Sequence, residues 1–332
     1  DKEIQQLIVS GQQSELRKQR FVILFIAAAL VLLGALAILL FSMNRFKKRA
    51  NRELSLRNKE ILQQKEVIAR KNRDITDSLE YARTIQESAL TPMEQIREIL
   101  GEFFIVYKPK DIVSGDFYWA ALPGQGKFAW AAADCTGHGV PGALMSILGI
   151  SLLNEIVIEK KTEAPDLVLN ELRLGVVKCL GQLSDRNIQK DGIDIVLCVF
   201  DRAKMTISFA GANTPLLHIS KNNAVLYKGD KQPAGYYTGE LRPFTRVDIP
   251  VCNGDMIYAF SDGFQDQFGG ADGEKYRYNN LKQLLQEIHE LSMEEQRTVL
   301  ESRFSEWISH TDPRTGEKFE QIDDVLIFGV RI

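Results

Sequence analysis

The sequence has little of the chemistry that marks a disulfide-bonded or zinc-binding protein. Its 332 residues include only four cysteines and four histidines. The cysteines are far apart and form no Cys-x-x-Cys motif, so they indicate neither a disulfide framework nor a zinc site, and a reducing compartment fits best. The net charge of −3 gives no reason to expect a nucleic acid as a partner. Internal repeats and low-complexity tracts are also lacking.

Polar side chains are absent from Phe21 to Phe41. At about 1.5 Å per residue, this run is long enough to cross a hydrocarbon core of about 30 Å. We expect a transmembrane helix at residues 21–41 rather than a buried globular helix, and no small-residue cleavage site follows that would favour a signal peptide. Basic residues are denser after the run than before it, which predicts a single-pass protein with its C-terminal side in the cytoplasm. The chain begins at Asp1, so residues 1–20 are expected to be the juxtamembrane tail of an upstream region.

Glycine and proline are absent from residues 44–90, which predicts a helical stalk over residues 44–91 that ends at Thr91-Pro92. Apolar residues continue one heptad row: Leu54, Ile61, Ile68, Ile75, Ala82 and Ala89. The second row is mostly polar: Asn58, Lys65 and Asn72 come before Leu79. These rows predict a weak coiled-coil homodimer that can shift register to carry a signal. A solvated spacer is the alternative.

Residues 92–332 have the pattern of a globular α+β domain, with short apolar runs separated by Gly, Asp, Asn and Pro. The predicted strands are EFFIVYK, DFYWAAL, KFAWAAA, IDIVLCVF, KMTISFA, PLLHIS, NAVLYK, PFTRVDI, DMIYAF and DVLIFGVRI. The predicted helices cover 143–159, 166–183, 281–291 and 294–308. Many consecutive strands with grouped helices favour a sandwich of antiparallel sheets flanked by helices over an alternating parallel sheet.

Acidic residues stand at the ends of several predicted strands: Asp116, Asp134, Asp262 and the pair Asp323-Asp324. Each alone has an ordinary explanation as a turn or a local cap. If they converge, two carboxylates about 4 Å apart repel by roughly 4 kcal/mol at an effective dielectric near 20, so a cation must join them. Oxygen ligands without organised His or Cys suit Mg²⁺ or Mn²⁺. Two such ions can activate a water for attack on phosphorus, which is the chemistry of a phosphate-ester hydrolase.

Six motifs occur in an order that resembles a known family: SGDFYW, ADCTGHGVPGALMS, FAGANTPLLHI, QPAGYY, NGDMIYAFSDGFQDQFGG and QIDDVLIFGVRI. Together they resemble the SpoIIE-like branch of the PPM metal-dependent protein serine/threonine phosphatases. The resemblance covers residues 78–332, because SLEYARTIQESALTP is similar to the helix that leads into such domains. It implies an αββα sandwich, two Mn²⁺ or Mg²⁺ ions, and phosphoserine or phosphothreonine on a protein substrate similar to an anti-sigma-factor antagonist.

The resemblance also implies a role for each acidic residue. Asp134 would bridge both metal ions, and the backbone carbonyl of Cys135 would bind one of them. Asp116 would serve the first ion, mainly through water, while Asp262 and Asp323 would serve the second. The catalytic residues implied are therefore Asp116, Asp134 and Asp262. Small residues after Asp134 are expected to turn the carbonyl toward an ion and to let the chain enter the next helix closely.

Several residues depart from the family pattern or have no assigned role in it. Asp324 fits a ligand less well, because the family places the ligand first in the acidic pair. The proton-donating histidine of the broader PPM family would fall at Thr136 in this sequence, whereas His138 stands four residues after the bridging acid. A structural hydrogen-bonding role for His138 is therefore favoured over a catalytic one. Leu326 occupies a place where many relatives have Thr, and Asp194 has no assigned duty.

Two other functions are compatible with parts of this sequence. A membrane histidine kinase would share the span and the stalk, and DCTGHG faintly resembles an ATP-lid motif. None of the four histidines lies in the stalk to accept a phosphoryl group, so this alternative is disfavoured. A catalytically inactive, phosphatase-like docking module remains the second hypothesis, although every acid implied as a ligand is present.

Overall fold

The computed structural model describes residues 2–124, 126–182, 191–221 and 223–332. The chain divides into two compact units, one reaching Ile75 and the other covering Thr76–Ile332. Helix α1 (Lys2–Ala89) begins in the first unit and ends in the second. The second unit therefore contains the last turns of this helix as well as the globular domain.

Helix α1 carries the apolar run that was predicted to cross a membrane. In the described part of the chain, two helical segments are long and apolar enough to do so, Lys2–Leu100 and Gly139–Glu159. The apolar stretch of the first is not buried, whereas 56% of the second is buried inside the globular unit. By length and composition, α1 could therefore be a membrane span, and the second segment has the burial of a core helix.

The heptad row of α1 changes its surroundings along the helix. Ile61 and Ile75 remain 49% and 57% exposed, as do the apolar residues of the earlier heptads. Leu79, Ala82 and Ala89 are partly buried within the same chain, and Ala89 packs against the core of the globular unit. The end of the row, at Ala89, therefore contacts the chain's own domain.

Two antiparallel sheets form the centre of the globular unit. The strands of the five-stranded sheet, in spatial order, are β1 (Phe103–Lys108), β13 (Val325–Arg331), β10 (Met256–Phe260), β6 (Leu216–Ser220) and β7 (Asn223–Tyr227). Those of the six-stranded sheet are β2 (Phe117–Gly124), β3 (Lys127–Cys135), β4 (Gly192–Asp201), β5 (Thr206–Ala212) and β9 (Val247–Pro250), with β8 (Ala234–Gly235) paired to β4. A separate two-stranded ribbon is formed by β11 (Phe268–Gly269) and β12 (Glu274–Lys275).

Helices cover both sheets and complete the predicted αββα sandwich. They are α2 (Met93–Leu100), α3 (Gly139–Leu153) with a π-helical turn at Asn154–Glu159, α4 (Pro165–Cys179), α5 (Gly263–Asp266), α6 (Tyr278–Ile288) and α7 (Met293–Ile308). Alternate residues of the five-stranded sheet enter two cores. For example, Ile105 of β1 packs in the core shared with the six-stranded sheet, and Phe104 and Val106 pack in the core under α6 and α7. This period-two alternation is expected for a sheet buried on both faces.

Most predicted elements are confirmed, with a few exceptions at their ends. The predicted strand PFTRVDI begins only at Val247, because the backbone N–H of Phe244 donates to Asn170 and that of Thr245 donates to Asp230. Helix α3 begins at Gly139, four residues earlier than predicted. The helix predicted to end at Leu183 ends at Cys179, and Leu183 itself lies outside the described residues. Helix α2 was not predicted.

Candidate active site

The acidic strand ends come together at one end of the sandwich. In the six-stranded sheet, Asp116 precedes β2, Asp134 lies near the end of β3, and Asp194 lies near the start of β4. In the five-stranded sheet, Asp262 follows β10 and Asp323 precedes β13. Antiparallel pairing of β2 with β3, β3 with β4, and β10 with β13 places these positions at one edge of each sheet. The two edges face each other, because the Ser261 hydroxyl after β10 donates to Asp116 at 2.6 Å and the Gly115 N–H before β2 donates to Asp324 at 2.7 Å.

Asp116 lies deepest and connects the two sheets. Its side chain is buried, and its Oδ2 accepts a hydrogen bond of 2.6 Å from the Ser261 hydroxyl. The same hydroxyl oxygen accepts the backbone N–H of Leu326 at 3.0 Å. Burial, followed by the charge of Asp134, raises the pKa of Asp116 well above its usual range. The site is supported by the backbone N–H of Leu326 and not by its side chain. Leucine can therefore stand where many relatives have Thr.

The other carboxylates are unfavourable as anions in the absence of a cation. Burial first, and the neighbouring acids second, raise the pKa of Asp134 to about 8. Asp262 is exposed at the surface, yet desolvation by the surrounding protein and the charge of Asp323 raise its pKa to about 6. Burial also raises the pKa of Asp323. In the described ranges, none of these three carboxylates forms an ion pair with lysine or arginine.

Asp324 points its carboxylate into the loop before β2. Its Oδ1 accepts the backbone N–H of Lys110 and its Oδ2 that of Gly115, both at 2.7 Å. The side chain is buried. Because both oxygens are already hydrogen-bonded, Asp324 fixes the loop that leads to Asp116.

Glycines keep the turn after Asp134 open. A Cβ at Gly115 would lie 2.6 Å from the carbonyl oxygen of Gly137 and 3.2 Å from that of Cys135. A Cβ at Gly142, in the first turn of α3, would overlap the Gly137 carbonyl and lie 2.9 Å from the Cα of Gly115. Gly137 itself adopts a φ of 90°. These contacts confirm the predicted close entry into the helix. The buried Cys135 thiol has its pKa raised by burial, so it is kept from forming a reactive thiolate.

Thr136 and His138 take different positions on the same loop. Thr136 is bound to the backbone of Gly192, since its N–H and its hydroxyl both donate to the Gly192 carbonyl and its oxygen accepts the Gly192 N–H. His138 is exposed at the start of α3, with its Nδ1 3.1 Å from Oδ2 of Asp111. The hydroxyl of Thr136 is thus engaged, whereas the His138 side chain is 57% exposed.

Gln86, in the last turns of α1, is a site residue that sequence reasoning missed. Its Nε2 donates to the Ser114 carbonyl at 2.5 Å and to the Ser146 hydroxyl at 2.7 Å, and its Oε1 accepts the Ser114 N–H at 3.1 Å. The side chain of Ser114 accepts the N–H of Asp116 at 3.0 Å. Gln86 is only 2% exposed. The sequence signal for this role is a glutamine on the same helical face as the apolar residues in the final turns of α1.

The donor atoms fit hydrated divalent cations of the Mg²⁺ and Mn²⁺ type. They are carboxylate oxygens and the backbone carbonyls of Cys135 and Gly137. These two carbonyls border the space that a Cβ at residue 115 would occupy. No three His, Cys, Asp or Glu side chains of the described residues are gathered closely enough to enclose an ion. Because Mg²⁺ usually keeps several waters and binds one or two carboxylates directly, a spaced set of carboxylates is compatible with it.

Comparisons with known proteins agree with this architecture. The SiaA-PP2C domain of Pseudomonas aeruginosa is 28% identical with a TM-score of 0.68, and the match covers 79% of this chain and 98% of that domain. A structure of the PP2C phosphatase domain with a fragment of the regulatory domain of SpoIIE from Bacillus subtilis is 19% identical with a TM-score of 0.53, over 70% of this chain and 61% of that one. The RsbU and RsbW domains of a Mycobacterium tuberculosis protein are 16% identical with a TM-score of 0.53, over 70% and 60%. A search of curated proteins found no match.

The match to a protein family is more specific than the structural likeness. The SpoIIE family, described as stage II sporulation protein E, matches residues 124–332. That region is more than half of the chain and contains most of the acidic strand ends described above. The chain therefore belongs to the SpoIIE family and carries a serine/threonine phosphatase domain of the PP2C (PPM) type.

Proposed function

We propose that this protein is a signalling phosphatase that uses two metal ions to remove phosphate from a serine or threonine of a regulatory protein. The observation that supports it most is the set of neighbouring carboxylates from both sheets, Asp134, Asp262 and Asp323, which form no ion pair with lysine or arginine among the described residues. Such a set is costly for a metal-free protein. It is expected where cations bind a phosphate ester.

The residues of this chain divide the binding of the metal ions among them. Asp134 would bridge the two ions, and the Cys135 carbonyl and Asp116 would complete the first position. Asp262 and Asp323 would complete the second. When bound, two Mn²⁺ or Mg²⁺ ions would supply charge stabilisation and a water of lowered pKa for in-line attack on phosphorus. A hydrogen bond from the Ser261 hydroxyl fixes Asp116 for this task.

The leaving serine or threonine oxygen needs a proton. Thr136 does not offer one, because its hydroxyl already donates to the Gly192 carbonyl. His138 is exposed and is oriented by Asp111, so a supporting hydrogen-bonding role is favoured over general-acid catalysis. His138→Gln should leave most of the kcat for p-nitrophenyl phosphate, whose leaving group needs no proton. If kcat instead falls with a phosphoserine peptide but not with p-nitrophenyl phosphate, His138 is the general acid.

The signalling part of the proposal concerns location and partners. The apolar run of α1 would anchor the chain once in the bacterial inner membrane, with the phosphatase domain in the cytoplasm and a homodimer formed through the stalk. The substrate would be a phosphoprotein similar to an anti-sigma-factor antagonist, and nucleic acid has no part in it. One structural neighbour combines RsbU and RsbW domains, which is consistent with a regulatory phosphoprotein as substrate.

The stalk can be tested through its polar heptad row. Replacing Asn58, Lys65 and Asn72 together with Leu would make the second row apolar and lock the helix pair. We expect a more stable dimer in cross-linking experiments and an activity that no longer varies with detergent or lipid. An unchanged activity and signal response would contradict a switching stalk.

Hydrolysis of p-nitrophenyl phosphate tests the chemistry first. The full chain in detergent micelles should be active with Mn²⁺, inactive with chelator, and inactive as Asp134→Asn. Asp201→Asn is the matched control, because Asp201 lies at the far end of β4. A folded, Mn²⁺-loaded protein that hydrolyses neither this ester nor phosphoproteins would favour the docking module.

A further inference from the structure

Asp194 faces the proposed metal centre but has no role in the set of ligands described above. It is the register partner of Asp134 on the neighbouring antiparallel strand. Side chains of directly opposed residues point to the same face, with their Cβ atoms about 5 Å apart. The structure therefore places a further carboxylate beside the residue that would bridge the two ions.

Asn213 holds this carboxylate in place. Its Nδ2 donates to Oδ1 of Asp194 at 2.8 Å. Asn213 has a φ of 56°, which is a left-handed conformation. For a residue with a Cβ this conformation costs on the order of 1 kcal/mol, and asparagine is among the residues that tolerate it best. The chain therefore accepts backbone strain at the residue that contacts Asp194.

The surrounding turn maintains that strain. The N–H of Asn213 donates to the Asp230 carbonyl at 2.7 Å, and the N–H of Asp230 donates to the Gly211 carbonyl at 2.8 Å. The Asp230 carboxylate in turn accepts the N–H and the hydroxyl of Thr245. Strained residues that are over-determined in this way cluster at functional sites.

The second oxygen of Asp194 is still open for a ligand. Among the described residues, only Oδ1 is hydrogen-bonded, and neither oxygen forms an ion pair with lysine or arginine. A purely structural role for Asp194 would require only one acceptor, which a neutral asparagine supplies equally well. The negative charge of Asp194 is needed only for the metal-binding role.

We propose that Asp194 is a further carboxylate of the metal centre, acting directly or through bound water, and that Asn213 is its positioning residue. This inference rests on the proposed function, because it concerns the same ions. Asp194 would add negative charge to the centre and raise its affinity for divalent cations. Asn213 would keep that charge directed at Asp134 instead of at solvent.

The test measures Mn²⁺ binding by calorimetry and thermal unfolding of the full chain in micelles, with and without Mn²⁺. Asp194→Asn keeps the acceptor for Asn213 but removes the charge. We expect Mn²⁺ affinity to fall about tenfold or more, while the metal-free protein should unfold at no lower a temperature, because the hydrogen bond from Asn213 is kept. Asp201→Asn, on the same strand far from the site, should change neither quantity.

A second variant separates positioning from folding. Asn213→Gly removes the amide but also relieves the left-handed strain, so its metal-free unfolding temperature should not fall. Its Mn²⁺ affinity should nevertheless fall several-fold. Normal Mn²⁺ affinity in Asp194→Asn would overturn the proposal, and normal affinity in Asn213→Gly would overturn the role of Asn213.

Asp134→Asn, measured in the same series, distinguishes a failure of this inference from a failure of the proposed function. If the wild type binds Mn²⁺ and Asp134→Asn does not, normal binding by Asp194→Asn overturns this inference alone. If the wild type itself does not bind Mn²⁺, the proposed function fails and this inference fails with it.

Discussion

Replacing Gln86 with alanine should weaken both the fold and the metal site. The change removes three hydrogen bonds, two from Nε2 and one to Oε1, and leaves the buried N–H and carbonyl of Ser114 without these partners. A typical hydrogen bond contributes about 0.5–1.5 kcal/mol net, and an abandoned buried group costs about 1–3 kcal/mol. We therefore expect Gln86→Ala to lower the free energy of unfolding by about 2–4 kcal/mol.

The effect should reach the metal ions through one further hydrogen bond. Ser114 accepts the N–H of Asp116, so a loosened Ser114 leaves Asp116 less well placed. Misplaced supporting groups typically reduce metal affinity by about 10–100-fold. Gln86→Glu should be worse than Gln86→Ala, because it keeps the acceptor, loses both donors and adds a negative charge near the acidic cluster.

Tryptophan fluorescence measures the unfolding of the globular unit selectively. All three tryptophans, Trp119, Trp130 and Trp307, lie within residues 76–332, so the long helix does not contribute to the signal. Gln64→Ala is the matched control, since Gln64 is exposed on the same helix. An unfolding midpoint equal to that of the control would refute the hydrogen-bond argument. A lowered midpoint with unchanged Mn²⁺ affinity would refute the link between Gln86 and the ions.

Three other predictions address packing, charge and the opposite end of the sandwich. Gly142→Ala should abolish Mn²⁺-dependent hydrolysis and lower the free energy of unfolding by about 1–3 kcal/mol, because its Cβ would overlap the Gly137 carbonyl; unchanged kinetics would show that the loop can yield. The metal-free protein should lose stability as the pH rises from about 4 to about 8, because burial raises the pKa of Asp134 to about 8 and the folded state then binds more protons than the unfolded chain. Saturating Mn²⁺ should remove this slope in pH-dependent unfolding, and a slope of opposite sign would refute the assignment. His218→Ala should lower the free energy of unfolding by about 3 kcal/mol, because it breaks a buried pair with Asp255, 2.9 Å away. Because His218 lies at the opposite end of the sandwich from the site, the kcat of the folded protein should not change. A lower kcat would contradict this prediction.

The sequence predicted those features that depend on short stretches of chain. The local patterns are the alternation of residues in strands, the glycines beside Asp134 and the acids at strand ends. The two sheets and the meeting of the acidic strand ends were predicted from these patterns. The strand predicted at PFTRVDI was too long because side chains from distant segments, Asn170 and Asp230, bind its first N–H groups. Gln86 and Asn213 were not assigned roles for the same reason, since their partners are 28 and 19 residues away in sequence.

The position of Gln86 on its helix also explains why a polar residue belongs there. Ala82 and Ala89 continue the heptad row of Ile75, and both are partly buried, Ala89 against the core of the chain's own domain, whereas Ile75 is exposed. Gln86 lies four residues after Ala82 and three before Ala89, so it shares their helical face. Because an α-helix turns as a rigid rod over such short distances, any rotation that changes the packing of the alanines must also move the Gln86 amide. The hydrogen bonds to Ser114 have strict geometry, whereas packing of small alanines does not. A rotation of α1 too small to unpack the helix can therefore still alter the loop that carries Asp116. An apolar residue at position 86 would not transmit such a rotation, because it forms no hydrogen bond to that loop.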